Sequence, residues 1–398
     1  GVGDLDNDGL PDLYFSGNQV PDRIYRNEGH LKFKDISKTA GIDHQGGFNF
    51  GVTFVDINQD GWQDIYVCRS GHKGLTKEKA NLLYINNHDL TFTESAQAYG
   101  LADQGYSIQS AFFDYDHDGD LDMYLTQHPV DYGQNLKERL DKMKAPEDDI
   151  SDKMYRNNGD NTFTNVTDIA GVRNYGHGLG LVIWDINEDG WDDIYVGNDY
   201  QSADYVYINN QNGTFTDRMK EYFPHIPYYS MGVDVADIDN DGLLDMNVVE
   251  MLPENYHRMI LNVSDLSEQN YYVFEEVGFH HQYTRNCMFR NNGGKTFSDV
   301  AYMAGVEATD WSWSSLFGDY DNDGKQDLFV SNGYLRDMQD KDYIKRSKYI
   351  RAAGGRMTKE TFDTVTVSQK LRNYLYMNQG NLKFKNRAKS GGLEDVLF

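Results

Sequence analysis

The chain has 398 residues, with 63 acidic against 37 basic side chains and a formal charge of -26. Such a surface repels nucleic-acid phosphates and anionic membrane surfaces, and no apolar run reaches the length of a bilayer span. Aromatics at 14% exclude a disordered acidic tail, and two cysteines, Cys68 and Cys287, cannot build a disulfide framework.

Along the chain one unit recurs six times. Its nine-residue loop, D-x-[DN]-x-D-G-x-x-D, starts at Asp4, Asp56, Asp114, Asp185, Asp237 and Asp319. An aromatic residue followed by x-N comes after each loop, and a second aromatic stands 8 residues further on. The pairs are Tyr25 and Phe33, Tyr84 and Phe92, Tyr155 and Phe163, Tyr207 and Phe215, Phe289 and Phe297, and Tyr376 and Phe384. From the first aromatic to the next loop takes 30 or 31 residues, whereas a loop and its own aromatic are 21 to 57 apart. The length variation therefore falls in one connection, with insertions at 127–152, 250–286 and 334–372. A constant frame with variable loops on one face is how repeat folds carry function.

The unit reads as short strands separated by turns. In the second copy these are Val52–Val55, Asp64–Val67, Leu82–Ile85 and Thr91–Thr93. The pattern predicts an all-β chain: a β-propeller of four-stranded antiparallel blades, six units in a single domain over 1–398. Continuing the spacing puts a further loop near position 406, so a fragment of a seven-bladed ring is expected, with a six-bladed ring as the alternative. The chain opens inside a unit, and flanking domains of a longer parent are expected.

The loops have the composition of calcium sites. Calcium takes several oxygen ligands, and loop positions 1, 3, 5 and 9 supply them. The proposed ligands are Asp4, Asp6, Asp8 and Asp12; Asp56, Asn58, Asp60 and Asp64; Asp114, Asp116, Asp118 and Asp122; Asp185, Asn187, Asp189 and Asp193; Asp237, Asp239, Asp241 and Asp245; and Asp319, Asp321, Asp323 and Asp327. Gly at position 6 permits a left-handed turn. An EF-hand requires Glu at position 12 and flanking helices; here that position is Phe15, Val67, Leu125, Val196, Val248 and Val330 between predicted strands. Close carboxylates repel unless a cation sits among them, so up to six structural Ca²⁺ ions are expected.

The loop Asp114-Tyr-Asp-His-Asp-Gly-Asp-Leu-Asp122, with Phe50-Gly51 ahead of another, resembles the FG-GAP/VCBS repeats of integrin α-subunit propellers. Tyr155-Arg-Asn-Asn-Gly159, Phe163 and Asp168-Ile-Ala-Gly-Val172 are most similar to bacterial surface proteins related to the cartilage acidic protein family, which often end in an ASPIC/UnbV domain. The resemblance covers the whole chain and implies the propeller. Phe50-Gly51 keeps the literal FG, whereas other copies read Ser110-Ala111, Leu179-Gly180 or Met231-Gly232. Calcium loops in this number suit an extracellular or cell-surface location, or the periplasm.

The insertions and the links into each first strand lie at the blade ends opposite the calcium loops. That end is the expected binding face for a glycan or protein, with Asn49, Gln109, His177, Tyr229, Trp311 and Trp313 as candidate contacts. Over it stand a charged stretch at 135–143, the pair His280-His281 and a basic run from Lys341 to Arg356. No nucleophile motif appears. The reading is a binding, adhesion or assembly module. A polysaccharide-active enzyme using Asp199 and Glu250 is one alternative, and a structural spacer is the other.

Overall fold

The computed structural model describes residues 1–393 except 19, 43–46, 72–78, 131–140, 143, 145–147, 149, 200–201, 263–271, 273, 277, 335 and 368. Among the described residues six antiparallel four-stranded sheets follow one another, as the propeller reading predicts. Blade one comprises Val2–Gly3, Asp12–Phe15, Arg23–Asn27 and Phe33–Asp35, and blade two Phe48–Val55, Asp64–Ser70, Leu82–Asn86 and Phe92–Glu94. Blade three is Ser107–Phe113, Asp122–Gln127, Lys153–Asn157 and Phe163–Asn165; blade four is Gly178–Trp184, Asp193–Asn198, Tyr205–Asn209 and Phe215–Asp217. Blade five is Val233–Ala236, Asp245–Val248, Cys287–Asn291 and Phe297–Asp299; blade six is Ser312–Gly318, Asp327–Asn332, Tyr374–Asn378 and Phe384–Asn386. Two compact units emerge: one holds blades one to four, save the end of blade four's second strand, and the other holds blades five and six.

In the first unit consecutive blades stack face to face. Leu5, Tyr14 and Ile24 of blade one are buried with Ile65, Val67, Tyr84 and Phe92 of blade two. The next interface repeats this with Ile57, Tyr66 and Leu83 against Met123, Leu125, Tyr155 and Phe163. Both faces of a middle blade are thus apolar, so its second strand has no exposed side: Asp64–Ser70 is buried throughout. In blades two, three and four the repeated aromatic pair is the part that meets the preceding blade. In blade one that side lines a groove of about 420 Å³ formed by Leu13, Phe15, Arg23, Tyr25 and Phe33.

Close packing of first strands explains the FG signature. A Cβ on Gly51 would stand 2.4 Å from the carbonyl oxygen of Ile108 in the next blade, and one on Gly232 would stand 2.5 Å from that of Trp313. No side chain fits there. The fourth strands lead into single helical turns such as Thr167–Ala170, closed by left-handed Gly171 at φ 76. That turn is the structural content of the Asp168–Val172 motif.

The first and third insertions differ in content. The stretch 135–143 lies largely outside the described residues. The basic run forms the helix Lys341–Ala352, capped by Asp340 accepting from the Tyr343 N–H, and the helix Lys359–Val365 follows. The second insertion adds the helix Tyr256–Asn262 and a short parallel pairing of Ile226–Pro227 with Gln282–Tyr283. No described helix is long and apolar enough to cross a membrane.

Candidate metal loops and binding face

The six loops share one construction, visible first in their backbone. Position 4 is left-handed in every copy, from Asn7 at φ 55 to Glu188 at φ 61, and the glycine at position 6 follows at φ 83 to 95. Sequence pointed only to the glycine. The first carboxylate fastens the turn: Asp4 accepts the N–H groups of Asp8 at 3.1 Å and Gly9 at 2.8 Å, and Asp319 those of Asp323 and Gly324, both at 2.9 Å. The fifth carboxylate accepts from the seventh N–H, as Asp8 does from Leu10 at 2.9 Å.

The ninth carboxylate joins the loop to the third strand. Asp12 accepts from Leu5 N–H at 3.0 Å and from Asn27 N–H at 2.8 Å; Asp245 accepts from Ile238 at 3.0 Å and from Asn291 at 2.7 Å. Asn27 and Asn291 are the Asn of the aromatic-x-N signature. Burial outweighs these hydrogen bonds and pushes Asp64 and Asp245 up to about 7 and Asp122 up to about 8. The same Asn also binds the loop of the preceding blade. Asn86 Nδ2 donates to Leu5 O at 2.9 Å, Asn209 Nδ2 to Tyr115 O at 2.8 Å and Asn378 Nδ2 to Ile238 O at 2.8 Å. Position 4 extends the chain of loops: Asn7 donates to Gly61 O at 3.0 Å and Gln59 to Gly119 O at 2.7 Å.

The third position behaves differently. One carboxylate oxygen of Asp6, Asp116 and Asp239 is buried and accepts no hydrogen bond. Carboxylate oxygens of Asp4, Asp6 and Asp8 lie within 4.8 Å of one another, as do those of Asp114, Asp116 and Asp122, of Asp237, Asp239 and Asp245, and of Asp319, Asp321 and Asp327. Loops two and four carry Asn58 and Asn187 at this position. Buried oxygens without a donor are rare in folded proteins. Hard-oxygen clusters containing them fit a calcium ion.

The six candidate face residues divide between the two units. In the first, Asn49 and His177 are buried, which corrects the expectation that they meet a ligand. Asn49 donates to Asp22 at 2.7 Å and accepts from Arg69 Nε at 3.0 Å, so both ends of its amide serve the interior. His177 packs edge-on to His128, with ring centroids 5.3 Å apart. Gln109 is half-buried, and its backbone bonds the Thr126 hydroxyl. In the second unit Trp313 is 44% exposed, with Nε1 donating to Gly333 O at 2.6 Å. Trp311 stacks on Tyr334 at 4.0 Å, and Tyr229 packs on Tyr228.

The Trp311 end is held by a buried ion network that sequence did not reveal. Arg258, from the helix Tyr256–Asn262, forks onto Asp310 at 2.6 and 3.0 Å and onto Asp337 at 2.6 and 2.9 Å. Asp310 Oδ1 in turn accepts the Trp311 N–H at 2.9 Å. These partners are 52 and 79 residues apart in sequence, and no local pattern announces them.

The carboxylate pair considered for catalysis is interior. Glu250 is fully buried and Asp199 nearly so; burial holds Glu250 well above the usual carboxylate range, and the Asp199 charge adds to it. No substrate reaches Glu250 in this structure. A second constellation has the order of a thiol relay: Cys287 Sγ stands 3.8 Å from His225 Nδ1, and His225 Nε2 stands 3.2 Å from Asp299. Burial pushes its thiol well up, Cys287 is wholly enclosed, and Arg285 already pairs with Asp299. It is an interior polar cluster. The adjacent histidines do not converge on a metal: His280 Nε2 bonds Phe223 O at 2.8 Å and the two rings are 5.7 Å apart.

The comparisons with known proteins agree with the repeat structure. The FG-GAP-like repeat model matches residues 4–67, 185–248 and 277–330. Cartilage acidic protein 1 of Mus musculus is 25% identical over 276 residues, 66% of this chain and 41% of that protein; the Homo sapiens protein is 26% identical over 277 residues, 66% of this chain and 40% of that protein. The chain thus spans about two fifths of the length of these curated relatives. Among solved structures, the Vibrio cholerae biofilm matrix protein Bap1 aligns at TM-score 0.34 and 13% identity, over 73% of this chain and 36% of that one. The chain is thus a set of four-stranded propeller blades, three stretches of which match the FG-GAP-like repeat model, with weak homology to cartilage acidic protein 1.

Proposed function

We propose that the chain is a calcium-stabilised extracellular binding module that recognises a glycan or a protein at the blade ends opposite its calcium loops. The observation that carries the metal half is the set of buried, unpartnered oxygens on Asp6, Asp116 and Asp239 among converging carboxylates. A divalent cation there satisfies those oxygens and cancels the repulsion among the ligands. Because loops and blades are bonded in series through Asn7, Gln59 and Asn86, ordering one loop supports the next blade. Weak extracellular-type sites fill where calcium is at millimolar level. The exposed Trp313 and the Trp311–Tyr334 stack support a contact surface, since aromatic side chains give large area at low entropic cost.

The test is thermal and urea unfolding in millimolar calcium, in magnesium and in chelator. Each occupied site adds about 2.7 kcal/mol when free calcium is a hundredfold above Kd. Calcium is expected to raise the midpoint strongly and magnesium little; identical curves in calcium and chelator refute the metal reading. A glycan array and a surface-protein capture then compare the wild-type chain with Trp313→Ala. Loss of a wild-type signal in a folded Trp313→Ala chain supports the face, and full retention removes Trp313 from it.

A further inference from the structure

The six loops differ at one ligand position, and the difference is matched by a residue on another strand. Where loop position 3 is Asp6, Asp116 or Asp239, the residue inside the aromatic-x-N signature is Arg26, Arg156 or Arg290. Where it is Asn58 or Asn187, that residue is Ile85 or Ile208. The contacts show the reason. Arg26 Nε donates to Asp6 at 2.6 Å and its Nη2 to Asp8 at 3.3 Å; Arg290 Nε donates to Asp239 at 2.5 Å and its Nη2 to Asp241 at 2.8 Å. Arg156 stands at the same position of blade three's third strand, Lys153–Asn157. In loop six Met377 stands at the strand position, and Lys325 instead pairs with Asp323 at 2.5 Å.

We infer that Arg26, Arg156 and Arg290 are built-in counter-ions of their loops, which set calcium affinity and hold the third ligand in place. This rests on the calcium reading above. A loop with four carboxylates and a guanidinium has the same net ligand charge as one with three carboxylates, an amide and an isoleucine. The two arrangements are then alternative solutions to one electrostatic requirement. The guanidinium takes one oxygen of Asp6 or Asp239, and the buried oxygen left without a partner is the one available to the cation. Its positive charge beside the site also lowers calcium affinity, because it repels the ion across a partly buried gap. Without calcium it stabilises the loop by neutralising carboxylates that otherwise face one another.

The closing experiment is a double-mutant cycle in loop five of the full chain. Arg290→Ile, Asp239→Asn and the double variant, which reproduces the arrangement of loops two and four, are compared with wild type. Hydrogen exchange at the Asp241, Gly242 and Leu243 amides, titrated with calcium and measured again in chelator, reads this loop alone. Arg290→Ile is expected to tighten calcium at loop five by about tenfold, the scale of one charge-assisted hydrogen bond or one screened charge, and to speed exchange in chelator. Asp239→Asn is expected to weaken calcium by a similar factor. The double variant is expected to return close to wild type in both conditions. Single variants that shift affinity in the same direction, or additive losses of protection in chelator, overturn the inference while leaving the calcium reading intact. Wild-type amides indifferent to calcium overturn both.

Discussion

Replacing Arg258 tests how the insertions are held over the aromatic end of blade six. The guanidinium is 5% exposed and makes four charge-assisted hydrogen bonds to Asp310 and Asp337. Burial opposes its charge, and the two carboxylates more than restore it. Arg258→Ala leaves both carboxylates buried without their cation. Breaking a buried pair in this way costs about 3–5 kcal/mol, more than the pair contributes relative to apolar packing. Arg258→Lys keeps the charge but cannot fork onto two carboxylates, so an intermediate loss of about 1–3 kcal/mol is expected. Urea unfolding monitored by tryptophan fluorescence gives the global cost. Hydrogen exchange at the Trp311 amide, whose acceptor is Asp310, gives the local one. The expected pattern is a large loss for Ala, a smaller one for Lys, and faster Trp311 exchange in both. An Arg258→Ala chain within about 1 kcal/mol of wild type, with Trp311 protection unchanged, refutes the assignment.

Three further outcomes follow from single contacts. Burial lowers His128 to about 4, so its neutral form is favoured in the folded chain while the unfolded imidazole titrates near 6.5. Between those values the unfolded imidazole binds the extra proton, so this group lowers stability as pH falls, by about 3 kcal/mol over the interval, while the raised Asp64, Asp122 and Asp245 carboxyls act in the opposite sense; His128→Gln is expected to remove that contribution from the stability–pH slope, and a slope equal to wild type refutes the assignment. Gly51→Ala drives a Cβ toward Ile108 O and is expected to cost about 1–3 kcal/mol in urea unfolding. Asn86→Ala strips donors from Leu5 O and Gln63 O, with an expected loss of about 2–3 kcal/mol and exposure of the blade one–two interface to protease. A neutral result at either position means that the interface relaxes around the change.

The chain itself carried its repeat, its strand order and its acidic loops in legible form, because these are local. A hairpin's turn residues, alternating strands and a nine-residue ligand pattern lie within short windows, and six copies made the spacing unmistakable. The role of the aromatic-x-N signature was not legible, although the motif was. Asn86 acts on its own loop's Asp64 and on the previous blade's Leu5, and only stacking brings them together. The matching of Asp6 with Arg26 and Asn58 with Ile85 was likewise written in the sequence but had no meaning until the third strand was seen to lie against the loop.

What the tertiary structure alone decided was which polar and aromatic residues are surface. Asn49 and His177 were expected to face a ligand, yet both are buried; Trp313 remained exposed. Asp199 and Glu250 fell together but inside. The same holds for Arg258, whose partners come from two distant stretches of chain. Periodicity reports which side of a strand a residue occupies. It does not report whether another strand, helix or insertion covers that side, because burial is set by long-range packing that leaves no mark on local spacing.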